Sequence, residues 1–330
     1  MNTKMIIAEI GSVHDGSFGN ATFLIRAAAA AGANVVKFQT HIAEAETLRD
    51  APMPPYFKGE PRYEYFQRTS FTPEQWAGLR AECTSCGVQF LSSPFSLEAV
   101  DLLESVGIDM YKIPSGEITN LPLLHKVAAT GKPILLSSGM SDWSELDKAV
   151  ETVQTGGPLV VMQCTSEYPT PPERVGLNVL SEIHQRYSCT LGFSDHTIGY
   201  AAPFAAAALG AQVIEKHFAF SRLMYGSDAK TSMEPDEFKV LSQGLHDIWK
   251  MLESPVDKNS VESLREMKMI FEKSIVASRA LKEGQIIELA DLAFKKPGTG
   301  IPAAHWEQVI GKTLAHNVEQ DTQLHYKDLK

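Results

Sequence analysis

Lys37, Lys112, His196 and His217 stand near the ends of short apolar runs that also finish in a hydroxyl, an amide or a carboxylate. In chain order the run ends supply Glu9, Lys37 with Gln39, Ser92 with Ser93, and Lys112 with Ser115 and Glu117. Ser137 with Ser138, Cys164 to Ser166, Ser194 to His196, and Glu215 to His217 complete the pool. Lysines and clustered hydroxyls suit the oxygens of a phosphate or carboxylate. Two imidazoles that end neighbouring strands can point at one spot, where neutral histidines ligate a divalent metal. A single serine carries little, because serine also starts helices. Its repetition at five run ends, together with Lys112, makes the argument. Among the other histidines, His14 and His41 fall in loops at the same face.

The elements that must position these groups alternate between strand and helix. Strand-like runs cover 5–11, 34–40, 88–95, 109–115, 132–140, 158–164, 189–195 and 212–218. Helix-like stretches lie between them, several closed by Gly, such as SLEAVDLLESVG and LPLLHKVAATG. That rhythm predicts an α/β protein with a (β/α)8 TIM barrel, whose active site lies at the C-terminal strand ends. A doubly wound nucleotide-binding sheet is disfavoured, since no GxGxxG follows the first strand. A Pro- and aromatic-rich insertion at 41–70 reads as a lid or assembly element. A helix at about 235–253 closes the eighth unit. The reading is therefore a barrel domain over 1–255, a linker over 256–272, and a small β-rich domain over 273–330.

Composition narrows the setting. The chain has 330 residues, 44% hydrophobic and 21% charged, which excludes disorder. Lacking an apolar run near ~18 residues, it is not expected to span a membrane. Its start lacks the plan of a secretory signal. A net charge of -10 argues against nucleic acid or an anionic membrane as partner. Four cysteines are too few for a disulfide framework, which predicts a reducing, cytoplasmic setting. Cys83 and Cys86 form a CxxC late in a helical segment, without further ligands for zinc, and read as structural.

The segments AEIGSVHDGS, KFQTH, SSPFS, YKIPSGE, LLSSGM, CTSEYPTPP, GFSDHTIG and EKHF resemble, in order, the strand-end motifs of the N-acetylneuraminate (sialic acid) synthase family, which includes legionaminic and pseudaminic acid synthases. The C-terminal segment resembles that family's antifreeze-like (SAF) domain, with its PGxG turn at Pro297 to Gly300. The resemblance covers essentially the whole chain. It implies a condensation of phosphoenolpyruvate with a 2-acetamido sugar of N-acetylmannosamine type, with release of phosphate by C–O cleavage.

By matching motif, Lys112, Ser115, Ser93, Ser137 and Ser194 would hold phosphoenolpyruvate, with Ser166 beside it. His196 and His217 would ligate Mn2+ or Mg2+. Glu9, Gln39, Tyr168 and Asp228 would contact the sugar, and Lys37 and Glu117 would flank the reacting centre. Glu117 is the candidate for activating the attacking water, with Glu9 as the alternative acid–base group. Lys296 stands where well-known members carry an Arg that reaches the partner chain's sugar, and Ser166 where some carry Asn. Those departures leave N-acetylmannosamine, a diacetamido dideoxy sugar or a plain hexose open. A homodimer, each small domain capping the other barrel, is also implied. The competing readings are a Schiff-base aldolase using Lys112 or Lys37, and a non-catalytic carbohydrate-binding or ice-binding protein.

Overall fold

Eight parallel strands pair in chain order, and the last closes on the first. They are β1 (Met5–Gly11), β2 (Val35–Thr40), β3 (Gln89–Pro94), β4 (Tyr111–Ile113), β5 (Ile134–Ser137), β6 (Leu159–Cys164), β7 (Thr190–Asp195) and β8 (Val213–His217). The computed structural model describes residues 4–52 and 59–330, so the middle of the insertion, 53–58, lies outside the described residues. Helix α1 (Phe18–Ala30) follows β1. After β2 come α2 (Ala43–Glu46), α3 (Arg62–Thr69) and α4 (Pro73–Ser85). The remaining strands are each followed by one helix: α5 (Leu97–Val106), α6 (Leu121–Ala128), α7 (Trp143–Val153), α8 (Leu177–Arg186), α9 (Ala201–Ala208) and α10 (Pro235–Leu252). The expected (β/α)8 barrel is what forms. Each of the eight expected runs holds one strand, trimmed at most of its ends.

Period-2 alternation then sorts the side chains. Met5, Ile7, Val35, Leu91, Met110, Leu135, Val160, Met162 and Val213 fill the lower interior of the barrel. Their neighbours Ile6, Val36, Phe90, Tyr111, Leu136, Val161, Phe193 and Ile214 face the helices in a larger core. Each such burial contributes about 1.5–3 kcal/mol, which offsets the cost of holding charges higher up the same barrel. Continuing the inward parity to the C-terminal ends gives Glu9, Lys37, Gln39, Ser93, Lys112, Ser137, Cys164, Ser194, Glu215 and His217. Opposite parity sends Ser92, Asp195 and Lys216 outward, where Lys216 pairs with Asp195.

Two members of the expected pool are corrected here. Ser92 Oγ shares a hydrogen bond with Thr40 Oγ at 2.7 Å and donates to the Phe38 carbonyl. Ser138 Oγ donates to Gln163 Oε1 and the Met162 carbonyl. Both hydroxyls stitch neighbouring strands together rather than face a ligand. The cysteines are free thiols, as expected. Burial of Cys83 within α4 pushes its thiol up to about 12, which makes it inert at neutral pH.

A second compact unit runs from Pro255 to Lys330. Helix α11 (Arg265–Phe271) occupies part of the stretch read as linker. Strands β9 (Ser274–Ala277) and β10 (Leu292–Lys295) pair antiparallel. A separate core of Ile275, Leu281, Ile287, Leu292, Ile301, Val309, Leu314 and Leu324 holds the unit together. In its PGTG turn, the Gly298 N–H donates to the Met269 carbonyl and the Gly300 N–H to Ser274 Oγ. No described helix of the protein is long and apolar enough to cross a membrane.

Candidate active site

The inward residues at the top of the barrel line a cavity of about 320 Å3. At its base sits a buried cluster of charges. Lys37 Nζ lies 2.7 Å from Glu9 Oε2 and 3.5 Å from Glu215 Oε1. Lys112 Nζ donates to the same Glu215 oxygen at 3.1 Å, and Ser194 Oγ at 3.0 Å. Burial alone would raise the Glu215 carboxyl, but Lys112 and Lys37 outweigh it and hold it down to about 2. Burial raises the Glu9 carboxyl, with Lys37 opposing, and burial lowers Lys112. For Lys37, burial is outweighed by Glu215 and Glu9, so its ammonium is held charged.

Above Lys112 the loops after β4, β5 and β6 form a cradle of hydroxyls. Ser115 Oγ accepts the Gly139 N–H at 3.0 Å, while Ser137 Oγ is buried without a partner among the described residues. A Cβ on Gly139 would lie 2.7 Å from both Ser115 Oγ and Ser166 Oγ and 3.1 Å from Cys164 Sγ. Only glycine leaves that space open, and hydroxyls, a backbone N–H and an ammonium around it suit an anion. A Gly139→Ala variant is therefore expected to weaken binding of phosphoenolpyruvate by about tenfold, the effect of ~1.4 kcal/mol. Its melting temperature should stay near that of the parent. Calorimetric titration showing unchanged affinity would refute this role for the cradle.

On the opposite wall, Gly11 adopts a left-handed φ of +53° where the β1–β2 register shifts. A Cβ there would meet Asp228 Oδ2 at 2.6 Å and both Gln39 Nε2 and Glu9 Oε1 at 3.5 Å, so these three groups converge on one glycine. Beside them the rings of His196 and His217 lie 5.4 Å apart, with the Tyr168 ring 4.1 Å from that of His196. His196 Nδ1 donates to the Thr165 carbonyl at 2.8 Å, so Nε2 carries the lone pair in the neutral ring; burial lowers this imidazole, but the neighbouring Cys164 outweighs burial and raises it. His217 Nδ1 is buried and has no partner among the described residues, and burial pushes this imidazole down to about 4, so it is neutral. The adjacent pair fits as ligands of a divalent metal, which takes each imidazole in its neutral form. Among the described residues no group of three or more His, Cys, Asp or Glu side chains surrounds one point. Water and substrate would have to complete the coordination.

Most of the expected site residues meet in this cavity: Glu9, Lys37, Gln39, Lys112, Ser115, Ser137, Ser166, Tyr168, Ser194, His196, His217 and Asp228. Three do not line it. The Ser93 hydroxyl is buried inside the barrel, off the cavity wall, with no partner among the described residues. Glu117 follows β4 in a 3-10 turn and uses its carboxylate to accept from Asn120 Nδ2 at 2.7 Å. Lys296 belongs to the second unit, its ammonium 4.8 Å from the centroid of the Phe271 ring.

His14 is a core residue, packed 4.5 Å from the Phe71 ring and accepting the Gly16 N–H. His41 does line the cavity, and so do Arg62, Phe66, Phe95, Met140 and Ser227, which were not expected. Glu215 stood in the strand-end pool, yet its place between two lysines was not foreseen. Strand alternation could have found it. Nothing periodic marks Arg62 and Phe66, which come from the insertion.

The protein-family model described as "NeuB family" matches residues 24–257, and that of the SAF domain matches 272–330. Among curated proteins, the chain is 36% identical to N,N'-diacetyllegionaminic acid synthase of Campylobacter jejuni, over 97% of this chain and 98% of that one. It is 31% identical to N-acetylneuraminate-9-phosphate synthase of Drosophila melanogaster, over 97% and 94% of the two chains. A solved N-acetylneuraminic acid synthetase from Leptospira borgpetersenii, in complex with citrate, superposes with a TM-score of 0.70 at 29% identity, covering 80% of this chain and 90% of that one.

Proposed function

The chain belongs to the NeuB family and ends in a SAF domain, and from that premise we propose that it joins phosphoenolpyruvate to a 2-acetamido hexose aldehyde, adds water and releases phosphate to give a nine-carbon 2-keto acid. The observation that carries this reading is the Lys112 ammonium beneath the Ser115, Ser137 and Gly139 cradle, in one cavity with the paired histidines. The two anionic ends of phosphoenolpyruvate find Lys37, Lys112 and the hydroxyls there.

In this mechanism C3 of phosphoenolpyruvate forms the new bond to the aldehyde carbon, and positive character develops at C2. Water adds to C2, and one of its protons ends on the oxygen that had been the aldehyde's. Glu9 is placed to carry that proton, because it lies on the wall and burial raises its carboxyl toward the range where it can both take and give one. Glu117 lies off the wall, which favours Glu9 of the two carboxylates first considered. The tetrahedral centre at C2 then collapses, its hydroxyl proton leaves with phosphate, and the C–O bond breaks. Lys112 and Lys37 stabilise the anionic oxygens throughout. When bound at His196 and His217, a divalent metal such as Mn2+ or Mg2+ would polarise the aldehyde carbonyl.

A Schiff-base aldolase is less well supported, since Lys37 is held charged between two carboxylates and Lys112 is committed to Glu215. Phe66, Phe95 and Met140 on the cavity wall favour a sugar with apolar substituents, such as a diacetamido dideoxy hexose. A homodimer belongs to the same proposal, supported by α11, none of whose residues is buried in the unit that carries it.

The test is phosphate release from phosphoenolpyruvate with N-acetylmannosamine, its 6-phosphate, a 2,4-diacetamido dideoxy hexose and mannose. Release should require a sugar, and 18O in the bridging position of phosphoenolpyruvate should leave with phosphate. No release with any of the four would overturn the assignment.

A further inference from the structure

A row of polar groups runs outward from Glu9 through Gln39 to two side chains, His41 and Glu46, that the condensation itself does not use. Gln39 Nε2 donates to Glu9 Oε1 at 2.7 Å. Gln39 Oε1 meets His41 Nε2 at 3.1 Å, and His41 Nδ1 meets Glu46 Oε1 at 2.8 Å. The second Glu46 oxygen accepts the Ile42 N–H at 3.3 Å, which ties the carboxylate to the start of α2. The His41 ring is clamped on both faces. Phe66 stacks at a centroid distance of 3.7 Å and an angle of 7°, and Phe95 at 4.1 Å and 23°. With both faces covered and both nitrogens engaged, this imidazole has one orientation.

In the ionised state from which Glu9 takes up a proton, and with Glu46 ionised as well, counting donors sets the direction of every bond in the row. Ionised Glu9 and Glu46 can only accept. Gln39 must then turn its NH2 toward Glu9, which leaves its carbonyl oxygen to His41, and His41 donates from both nitrogens. We propose that His41, held by Glu46, is a positioning residue that keeps the Gln39 amide facing Glu9 and so holds the Glu9 carboxylate on the cavity wall. Without the pair, the amide is free to rotate and present its carbonyl oxygen to Glu9. Two acceptors then face each other in a buried place, and the carboxylate turns away or takes up a proton. The aromatic clamp supplies the rigidity that an outer hydrogen-bond partner needs in order to orient an inner one.

The proposal rests on the reading that Glu9 and Gln39 serve the condensation, so its test has one arm that does not need turnover. In His41→Phe the stack is retained and both hydrogen bonds are lost. That variant should lose kcat/KM for the sugar by roughly 30-fold, within the range for outer partners, while the affinity for phosphoenolpyruvate alone stays within about twofold. On a Gln39→Ala background the same change should add almost nothing. Independent, multiplying losses would overturn the proposal. Glu46→Gln, which keeps the shape, should show a smaller loss of the same kind and serves if His41→Phe does not fold. The second arm is nitrogen NMR of histidine-labelled protein, with the His41 signals assigned by their absence from His41→Phe. Both ring nitrogens should bear hydrogens in the wild type, and a ring with one bare nitrogen would overturn the proposal. If the wild type turns over no sugar, the functional reading fails and the NMR arm still decides the role of His41.

Discussion

Replacing Glu215 by Gln is expected to cost about 3 kcal/mol of stability, the range for breaking a buried ion pair by removing one partner. The same change should lower kcat/KM for phosphoenolpyruvate by on the order of a thousandfold, the upper range for losing one group of a preorganised electrostatic site. Both effects come from one oxygen. Glu215 Oε1 accepts from Lys112 and Ser194 and lies 3.5 Å from Lys37, and all these side chains are buried. A neutral amide would leave two ammonium groups in the barrel with only Glu9 to balance them. Lys112 would then release its proton or turn away from the cradle, and the phosphate would lose its fixed positive charge. Acid carries a signature of the same residue. The Glu215 pKa is depressed in the folded protein to about 2 from an ordinary 4.5, so its stabilisation is present above that ordinary value and is lost as pH falls toward 2. Glu215→Gln should therefore lose less stability than the wild type between pH 4.5 and 2. Urea unfolding at neutral and acid pH, beside steady-state kinetics, measures both. A variant as stable and as active as its parent would remove Glu215 from the centre of the site.

That residue also shows how far the sequence can be read. The barrel was legible because eight apolar runs, each bounded by turn residues or a helix-ending glycine, could not be arranged as anything much smaller. Lys37, Lys112, Ser194 and His217 were legible because polar groups at strand ends need partners or ligands. Parity separates them further. Met5 and Ile7 face inward, so Glu9 does, and Val213 carries Glu215 and His217 with it. The same count would have set Ser92 outward. The direction of Glu117 could not be read, because parity stops where β4 ends at Ile113. Beyond it a 3-10 turn directs the carboxylate onto Asn120. Arg62, Phe66 and Phe95 reach the cavity from connections whose path depends on packing, and spacing along the chain does not encode that. The His41 row was half visible: its position at the catalytic face could be read, but its partners could not.

Removal of divalent metal should cut turnover sharply, and loss of either histidine should make that loss permanent. A Lewis acid at the aldehyde oxygen is worth several kcal/mol, so chelation is expected to lower the rate on the order of a thousandfold, with Mn2+ or Mg2+ restoring it. His217→Asn and His196→Asn should resemble the chelated enzyme and resist rescue at ordinary metal concentrations. The two positions differ in what holds them. The His196 tautomer is fixed by its bond to the Thr165 carbonyl, whereas His217 Nδ1 has no partner among the described residues, and its neutral state comes from burial. Metal binding measured by calorimetry should therefore fall in both variants. Phosphoenolpyruvate binding should persist in both, because Lys112, Ser115 and the Gly139 N–H are untouched. That separation distinguishes a lost metal from a collapsed site. Full activity after exhaustive chelation, or full activity of His217→Asn, would make the two imidazoles substrate contacts instead. The aldehyde would then be activated by hydrogen bonds from His196 and Tyr168, the ring packed beside it.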